Sequence, residues 1–271
     1  MRSPYRRTTA TAVVALVAAV LSPSRLALAD TYVLDTRTNP FVAGSANHGW
    51  YDNLGFHNPN NDNYMTYAFD DGEGLSYVLR NFFSFDLSQI DLSEQTVVSA
   101  SLQVQRFSSD SPTGSVRYGL FDVASPASLL NGAISATQGL SIFDDLGSGK
   151  TYGAFDVATP GAPDDVLEFA LNPDALADIT GAADGWFLVG GTLLNPQQAN
   201  GGFLFGSSGR LDVDPGNPGR PPALNRLVLV TTRSSFVIPE AGTLPLMAAA
   251  AAGTLCPFLG RVAGRRRRRR A

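Results

Sequence analysis

The chain has 271 residues, of which 44% are hydrophobic and 16% are charged, so it can bury a sizeable core. Its net charge of −4 conceals an uneven distribution, because the segment from Asp30 to Glu240 has nine basic residues against all 24 acidic ones, a net charge of −15. Such an acidic surface repels nucleic acid, so we expect no nucleic-acid partner. The only cysteine, Cys256, lies in the C-terminal hydrophobic stretch, which excludes disulfides and cysteine-based metal sites from the acidic segment.

The N-terminus has the three parts of a secretory signal peptide. Basic residues open it, a twelve-residue apolar run covers residues 10–21, and the small-residue sequence 27–29 follows. We therefore predict a signal peptide over residues 1–29, cut by signal peptidase after Ala29. A first transmembrane helix is the alternative, but a bilayer span needs about twenty residues.

Between residues 31 and 233 the pattern is that of short strands separated by turns. Residues 81–87 place Phe83, Phe85 and Leu87 on one side, which indicates a half-buried strand, and residues 99–105 alternate in the same way. Residues 227–230 are apolar on both faces, which predicts a central, well-covered strand. The predicted strands are residues 32–34, 64–69, 81–87, 99–105, 116–123, 152–157, 166–171, 186–194, 202–207 and 227–230.

One helix is predicted over residues 172–179. Asn172 is a suitable N-cap, Pro173 fits the first helical position, and Asp174 places a negative charge in the first turn. Ten strands and one minor helix indicate an all-β fold, an antiparallel β-sandwich that is jelly-roll-like, over residues 30–235.

Two of these predicted strands carry a resemblance. The sequence Arg80-x-x-x-x-Phe85-Asp86-Leu87, followed by the alternating strand at residues 97–104, is similar to the paired strands of DNRLRE-type and related carbohydrate-binding-module-like sandwiches in secreted bacterial proteins. The resemblance implies a fold more than a function.

The C-terminus carries an apolar segment followed by a basic tail. Residues 242–262 contain one charge, Arg261, among about twenty apolar or small residues, enough to cross a bilayer as a transmembrane helix. By the positive-inside rule the tail stays cytoplasmic, so an exported body faces outward. The tail, residues 263–271, contains Arg265, Arg266, Arg267, Arg268, Arg269 and Arg270.

A Pro-Glu motif, a single hydrophobic helix and a terminal arginine cluster together resemble the PEP-CTERM sorting signal, which a membrane protease-transpeptidase called exosortase recognises and cuts. The resemblance covers residues 238–270 of a predicted sorting segment at residues 236–271, with the motif at residues 238–241 and its key residues at Pro239 and Glu240. It departs from the family at Ala241, where a second proline is usual, and this difference affects how efficiently exosortase would cut the chain. A plain C-terminal anchor is the alternative, and it gives the same topology. Residues 144–153 also resemble a stretch of PEP-CTERM proteins of unassigned function.

Carboxylates in loops are candidate calcium ligands, because calcium prefers oxygen donors. They fall into three clusters, and none matches the EF-hand pattern, so solvated acidic turns are the alternative interpretation. Calcium is the one candidate cofactor, and no other metal is expected. The candidate residues are Asp62, Asp70, Asp71, Glu73, Asp212 and Asp214.

The two histidines, His48 and His57, are nine residues apart in a segment rich in Asn and Gly. They could share a metal with Asp52 or Asp62, but a dependable zinc site needs three ligands, so we expect exposed loop histidines. No activated serine motif accompanies them. Residues 147–151 mimic the end of a phosphate-binding loop, but a strand is predicted to follow instead of a helix, so we expect a β-turn.

Trp50 and Tyr51 are candidate glycan-stacking residues, because exposed aromatic rings stack on sugars through their faces. Core packing is the alternative. With no catalytic residue assigned, the sequence favours a non-enzymatic protein of the cell surface or extracellular matrix, held transiently at the inner membrane, sorted by exosortase and associated with exopolysaccharide. Two alternatives stay open: a secreted glycoside hydrolase that uses two loop carboxylates, and a calcium-stabilised structural module.

Overall fold

β-strands are the main secondary structure of this computed structural model, which describes residues 27–61, 63–73, 76–182, 185–194, 201–206 and 224–234. The strands are β1 (Ala27–Asp35), β2 (His48–Asp52), β3 (Thr66–Asp70), β4 (Ser76–Asp86), β5 (Gln95–Gln105), β6 (Ser108–Asp110), β7 (Ser115–Asp122), β8 (Thr151–Ala158), β9 (Val166–Ala170), β10 (Trp186–Leu193), β11 (Gly202–Gly206) and β12 (Asn225–Ser234). The helices are α1 (Ala127–Leu130), α2 (Ala136–Asp145) and α3 (Pro173–Gly181). Ala29–Arg233 form one compact unit.

The strands form two sheets. The first has the order β1-β12-β5-β9, and the second has the order β6-β11-β3-β4-β10-β7-β8, with β2 also paired to β4. The pairs β4–β10, β10–β7, β7–β8, β5–β12 and β5–β9 are all antiparallel. The predicted antiparallel all-β class is thus confirmed. The order β1-β12-β5-β9 in one sheet and the order β4-β10-β7-β8 in the other are those of a jelly roll, and the second sheet is extended by β2, β3, β6 and β11.

The inner faces of the two sheets enclose the main hydrophobic core. Leu102 and Val104 of β5 and Phe83 and Phe85 of β4 are fully buried there. Each such side chain contributes about 1.5–3 kcal/mol through the apolar surface removed from water. These residues lie on the sides of β4 and β5 that the alternating pattern predicted.

The outer face of β4 is covered as well. Phe82 is fully buried, and its ring centroid lies 5.9 Å from that of Tyr51 and 5.6 Å from that of His57. Helix α2 adds Phe143 to the same cluster. The strand predicted at residues 81–87 is present, but the prediction that it is half-buried was wrong, since Tyr51 of the neighbouring strand β2 and side chains of α2 cover the side that the alternation left for water.

Arg80 ties α2 to β4. Its Nη1 donates a hydrogen bond of 2.7 Å to the Phe143 carbonyl, and the guanidinium carbon lies 4.1 Å from the centre of the Phe143 ring. A cation at a helix C-terminus is favourable because carbonyls without helical partners concentrate negative charge there. In this chain, the arginine of the carbohydrate-binding-module-like pattern therefore holds a helix in place.

The described residues form three helices, so the prediction of one minor helix was wrong in number. The predicted helix is confirmed as α3. As predicted, Asn172 caps its N-terminus, since the Asn172 side chain accepts a hydrogen bond of 3.1 Å from the Ala175 amide. Helix α2 was missed, although Ser135 and Gln138 form a capping box at its start. That Ser-x-x-Gln pattern is a helix-start signal that the sequence did contain.

All ten predicted strands are present, and β2 and β6 are additional. β2 lies in the segment rich in Asn and Gly that favoured a loop, and β6 has only three residues. β12 is internal to its sheet as predicted, but Val228 and Val230 on one side of it are only half-buried. Its outer face is therefore not well covered, contrary to the prediction.

The terminal predictions fall almost wholly outside the described residues. The signal peptide up to residue 26, the motif at residues 238–241, the span at residues 242–262 and the arginine tail are not described. Ala29 is described, and it lies exposed in β1. Within the described ranges no helix has the length and apolar character needed to cross a membrane.

Candidate ligand-binding pocket

A cavity of about 200 Å³ lies at one end of the second sheet. β7 ends there and β8 and β10 begin there, because neighbouring antiparallel strands bring opposite termini together. Helix α3 forms one side of it. The lining residues are Asp122, Val123, Lys150, Tyr152, Asp178, Ala182, Trp186, Phe187 and Leu188.

A polar group of three residues joins β8 to α3. Lys150 Nζ lies 2.6 Å from Asp178 Oδ1, and the Tyr152 hydroxyl donates a hydrogen bond of 2.8 Å to Asp178 Oδ2. The hydrogen bond to Asp178 raises the pKa of the Lys150 ammonium above its ordinary value. Burial, followed by the Asp178 carboxylate, raises the pKa of Tyr152 as well. Both groups therefore stay protonated at neutral pH and donate hydrogen bonds to Asp178.

Helix α3 is fixed so that Asp178 faces β8. The Asn172 side chain, which caps α3, also donates a hydrogen bond of 2.6 Å from Nδ2 to the Thr151 carbonyl. The Asn172 amide donates to the Tyr152 carbonyl at 3.0 Å. The same residue thus begins the helix and attaches it to the first residues of β8.

Asp122 supplies a second carboxylate at the end of β7. Its Oδ1 accepts a hydrogen bond of 2.6 Å from the Lys150 amide. This contact depends on Gly149, which has a φ of 85°, and a Cβ there would lie 2.2 Å from Asp122 Oδ1. Glycine is required on both counts, since other residues rarely adopt this backbone conformation and any side chain would collide with the carboxylate.

Aromatic rings form the apolar part of the pocket. Tyr152 stacks on Phe187 with ring centroids 5.5 Å apart, and both side chains are buried beneath the opening. Trp186 is half-buried at the first position of β10, and Phe41 packs against its ring at 4.6 Å. Asn39, two residues before Phe41, donates a hydrogen bond to Asp86, which is paired with Trp186 across β4 and β10.

The pocket can therefore offer three kinds of contact to a ligand. Trp186 presents an apolar ring, Lys150 has ammonium protons beyond the one directed at Asp178, and Asp122 has a second carboxylate oxygen. The volume lies below the roughly 300 Å³ at which pockets for drug-sized molecules begin. It suits a single ring-sized group whose remainder extends into solvent.

The candidate calcium ligands do not form a site among the residues that the structure describes. Asp70 and Asp71 accept hydrogen bonds from the amides of Gly72 and Glu73 in the same turn, at 2.9 Å and 2.8 Å. Within the described ranges no three His, Cys, Asp or Glu side chains converge on a point that could hold a metal ion. Asp62, Asp212 and Asp214 lie outside those ranges, so the calcium prediction stays a prediction.

The prediction of exposed loop histidines was wrong. His48 is buried in β2, where its Nδ1 lies 2.8 Å from Thr36 Oγ1 and 3.1 Å from Asn225 Nδ2. His57 is half-buried, donates from Nδ1 to the Trp50 carbonyl at 2.9 Å, and has its pKa lowered by burial. Both histidines therefore belong to the packing around β2.

The two aromatic candidates differ in exposure. Tyr51 is fully buried, and its hydroxyl donates a hydrogen bond of 3.0 Å to the Leu130 carbonyl, so its ring has no face open to a sugar. Trp50 is half-buried, and its ring lies 5.9 Å from that of Phe56, which is 56% exposed. Trp50 and Phe56 together form a small aromatic surface on the outside of β2.

Comparisons with known proteins do not identify the chain. No protein-family model matches it. No curated protein matches it either. A solved structure with partial similarity is the K1 cleaved adhesin domain of Lys-gingipain from Porphyromonas gingivalis W83, which is 10% identical. That comparison covers 78% of this chain and 99% of the adhesin domain, but its TM-score of 0.26 carries no conclusion about fold or function.

None of the pocket residues was a candidate on sequence grounds. Lys150 follows the glycines of the phosphate-loop mimic, which the structure shows to be the turn between α2 and β8. Asp122, Asp178 and Trp186 come from three elements that are distant in sequence and meet only when the sheet forms. The one usable signal was that the predicted starts of β8 and β10 both carry aromatic residues.

Proposed function

We propose that this protein is exported, is sorted at the inner membrane by exosortase, and binds a glycan of the extracellular matrix without cleaving it. The observation that carries the glycan-binding part is the pocket at the end of the second sheet. There half-buried Trp186 lies beside an ammonium donor and a carboxylate acceptor. Sugar rings have apolar faces and hydroxyl edges, and aromatic rings together with a few polar groups match both.

The arrangement of the carboxylates favours binding over hydrolysis. Both oxygens of Asp178 already accept hydrogen bonds, one from Lys150 and one from Tyr152. A glycosidase needs one carboxyl group that carries a proton for the leaving oxygen and a second that acts as base or nucleophile. Asp178 is committed as an acceptor, which leaves Asp122 as the one carboxylate, among the lining residues that the structure describes, that can face a ligand.

The experiment that tests glycan binding uses the full-length chain on an array of extracellular polysaccharides and oligosaccharides, with and without calcium. We expect saturable binding to at least one glycan, and Trp186→Ala should weaken it about tenfold, which corresponds to about 1.4 kcal/mol. Phe56→Ala is the matched control, since it removes an exposed ring elsewhere on the protein. Absence of binding to every glycan would contradict the proposal.

Hydrolysis is tested with the same glycans. Incubation with the protein should release no new reducing ends, whether or not calcium is present. Release of reducing ends that is abolished in both Asp122→Asn and Asp178→Asn would replace the binding proposal with the glycoside hydrolase alternative.

Export and sorting are tested separately by fractionation of the native host. We expect a mature chain that lacks the first 29 residues and is released from the inner membrane. Replacement of Pro239 and Glu240 by alanine should leave the chain in the membrane fraction. Recovery of the full-length, uncut chain from the cytosol would contradict this part of the proposal.

A further inference from the structure

We propose that the pocket selects an uncharged sugar and rejects both uronic acids and amino sugars, because it already contains its own ion pair. This inference rests on the proposed function, since it specifies the ligand of the same pocket.

The pocket repels anions. Within the part of the chain that the structure describes, its charged lining residues are Asp122, Asp178 and Lys150, which together have a net charge of −1. Asp174 in the first turn of α3 adds a further negative charge that acts on Lys150. A uronate carboxylate placed against Trp186 would meet this negative potential, and Lys150, the one cation among the described lining residues, is already paired with Asp178.

The pocket also offers little to a cation. Lys150 lies 2.5 Å from one oxygen of Asp178 and 2.6 Å from the other, so it occupies the position that the ammonium of an amino sugar would take. The Lys150 ammonium would repel a second cation brought to the same place. Asp122 is also a weaker partner for an ammonium group, because its Oδ1 already accepts a hydrogen bond from the Lys150 amide.

The donor and acceptor atoms of the pocket that are not engaged within the protein match the hydroxyl groups of a sugar. The remaining ammonium protons of Lys150 can donate to a hydroxyl oxygen, and the second oxygen of Asp122 can accept from a hydroxyl proton. Trp186 covers the apolar face of the ring. A neutral sugar therefore satisfies the open donor and acceptor without leaving a charge unpaired, which is the costly outcome for either charged sugar.

Binding of three probes of equal length to the full-length protein tests this selectivity by calorimetric titration. The probes are a neutral hexose oligosaccharide, a uronic acid oligosaccharide and a glucosamine oligosaccharide, each present in the array. We expect the neutral probe to bind at least tenfold more tightly than either charged probe in low salt. Raising the salt to 0.5 M should narrow the gap to the uronate probe, because salt screens the repulsion.

Two substitutions change the charge without removing the pocket. Asp122→Asn keeps an oxygen for the Lys150 amide and removes one negative charge, so the relative affinity for the uronate probe should rise. Lys150→Met removes the internal cation, and the substitution is tolerable because the side chain is 51% exposed. Asp178 can then pair with an ammonium group of the ligand, so the relative affinity for the glucosamine probe should rise. Thermal unfolding of each variant checks that the fold is retained.

The outcomes separate this inference from the proposed function. Tight binding of a charged probe to the wild-type protein, lost in Trp186→Ala, would overturn the selectivity and leave glycan binding intact. Unchanged selectivity in Lys150→Met would overturn the role of the ion pair. Absence of binding to all three probes and to the array would overturn the proposed function, and the inference with it.

Discussion

The pocket and the outer face of β4 are both built from aromatic side chains, but their rings meet different partners. On the outer face, Phe82 of β4 and Tyr51 of β2 are completely buried in one cluster with side chains of α1 and α2, and the Tyr51 hydroxyl is satisfied by a backbone carbonyl. In the pocket, buried Tyr152 and Phe187 form a floor, and half-buried Trp186 is left at the opening beside charged groups.

This difference separates structural rings from rings available to a ligand. A ring that is enclosed on all sides contributes only to stability, whereas a ring with one open face beside a donor and an acceptor can contribute to binding. The outer face should therefore respond to substitution through unfolding, and the pocket through affinity. Substitutions in the two regions test this separation.

Phe82→Ala should have the largest effect, a loss of about 3–5 kcal/mol in the free energy of unfolding, because it leaves a cavity in a fully buried cluster. Urea unfolding followed by circular dichroism measures it. Phe56→Ala, which removes a ring that is 56% exposed, should change stability by about 0.5 kcal/mol or less. A loss below about 1 kcal/mol for Phe82→Ala would show that α2 does not cover this face.

Gly139→Ala should cost about 2–3 kcal/mol, because a Cβ on Gly139 of α2 would lie 1.9 Å from the Gly55 carbonyl oxygen. The helix would have to move away from the loop that follows β2. Gly181→Ala is the matched control at the end of α3, where an added Cβ meets nothing within 4 Å. The control should be neutral or slightly stabilising. Equal stability of the two variants would contradict the close packing of α2.

Asp86→Asn should cost about 1–2 kcal/mol at neutral pH, since a carboxylate that accepts hydrogen bonds is replaced by a group that also donates. Burial alone would raise the pKa of Asp86, but hydrogen bonds from Ser88, Asn39 and Gln89 outweigh it and lower the pKa. The stabilisation is therefore complete above the unfolded pKa of about 3.9 and is lost as pH falls through the lower folded pKa.

Urea unfolding of wild type and Asp86→Asn between pH 7 and pH 2.5 measures this dependence. The difference in unfolding free energy should be constant above about pH 5 and should shrink below about pH 4. A difference that grows as the pH falls would contradict the assigned hydrogen bonds. Because Asn39 positions the segment that carries Phe41 against Trp186, the variant should also weaken glycan binding.

Trp50→Ala should have the smallest effect on binding, at most about a twofold loss of glycan affinity. Trp50 was a candidate contact on sequence grounds, but its ring neighbour is the exposed apolar ring of Phe56, and it lies outside the pocket that brings a donor and an acceptor to Trp186. Calorimetric titration of this variant beside Trp186→Ala makes the comparison. A loss equal to that of Trp186→Ala would move the binding surface to β2.

The sequence was sufficient for most of the strands because each carries its own alternation or apolar run. Residues 99–105 show this well, as Leu102 and Val104 point into the core as expected. The outer cover of β4 was not predictable from alternation alone, since Phe82 and Phe83 are adjacent and the pattern assigns only one of them to a core. The capping box at Ser135 would have revealed α2, but not the face against which it packs.

The pocket was beyond sequence reasoning for a different reason. Lys150, Asp178 and Asp122 come from separate elements, and each is unremarkable in its own segment. Their proximity follows from the order β10-β7-β8 in the sheet and from the attachment of α3 through Asn172. Strand order depends on long-range pairing, which local patterns do not specify.

The most direct measurement uses the protein's two tryptophans, Trp50 and Trp186, as separate reporters. In a Trp50→Phe variant all tryptophan emission comes from the pocket, and in a Trp186→Phe variant it comes from the surface beside Phe56. Titration with a neutral oligosaccharide should give a saturable change in emission with Trp186 as the reporter and none with Trp50. A saturable change seen only with Trp50 as the reporter would contradict the pocket as the glycan-binding site.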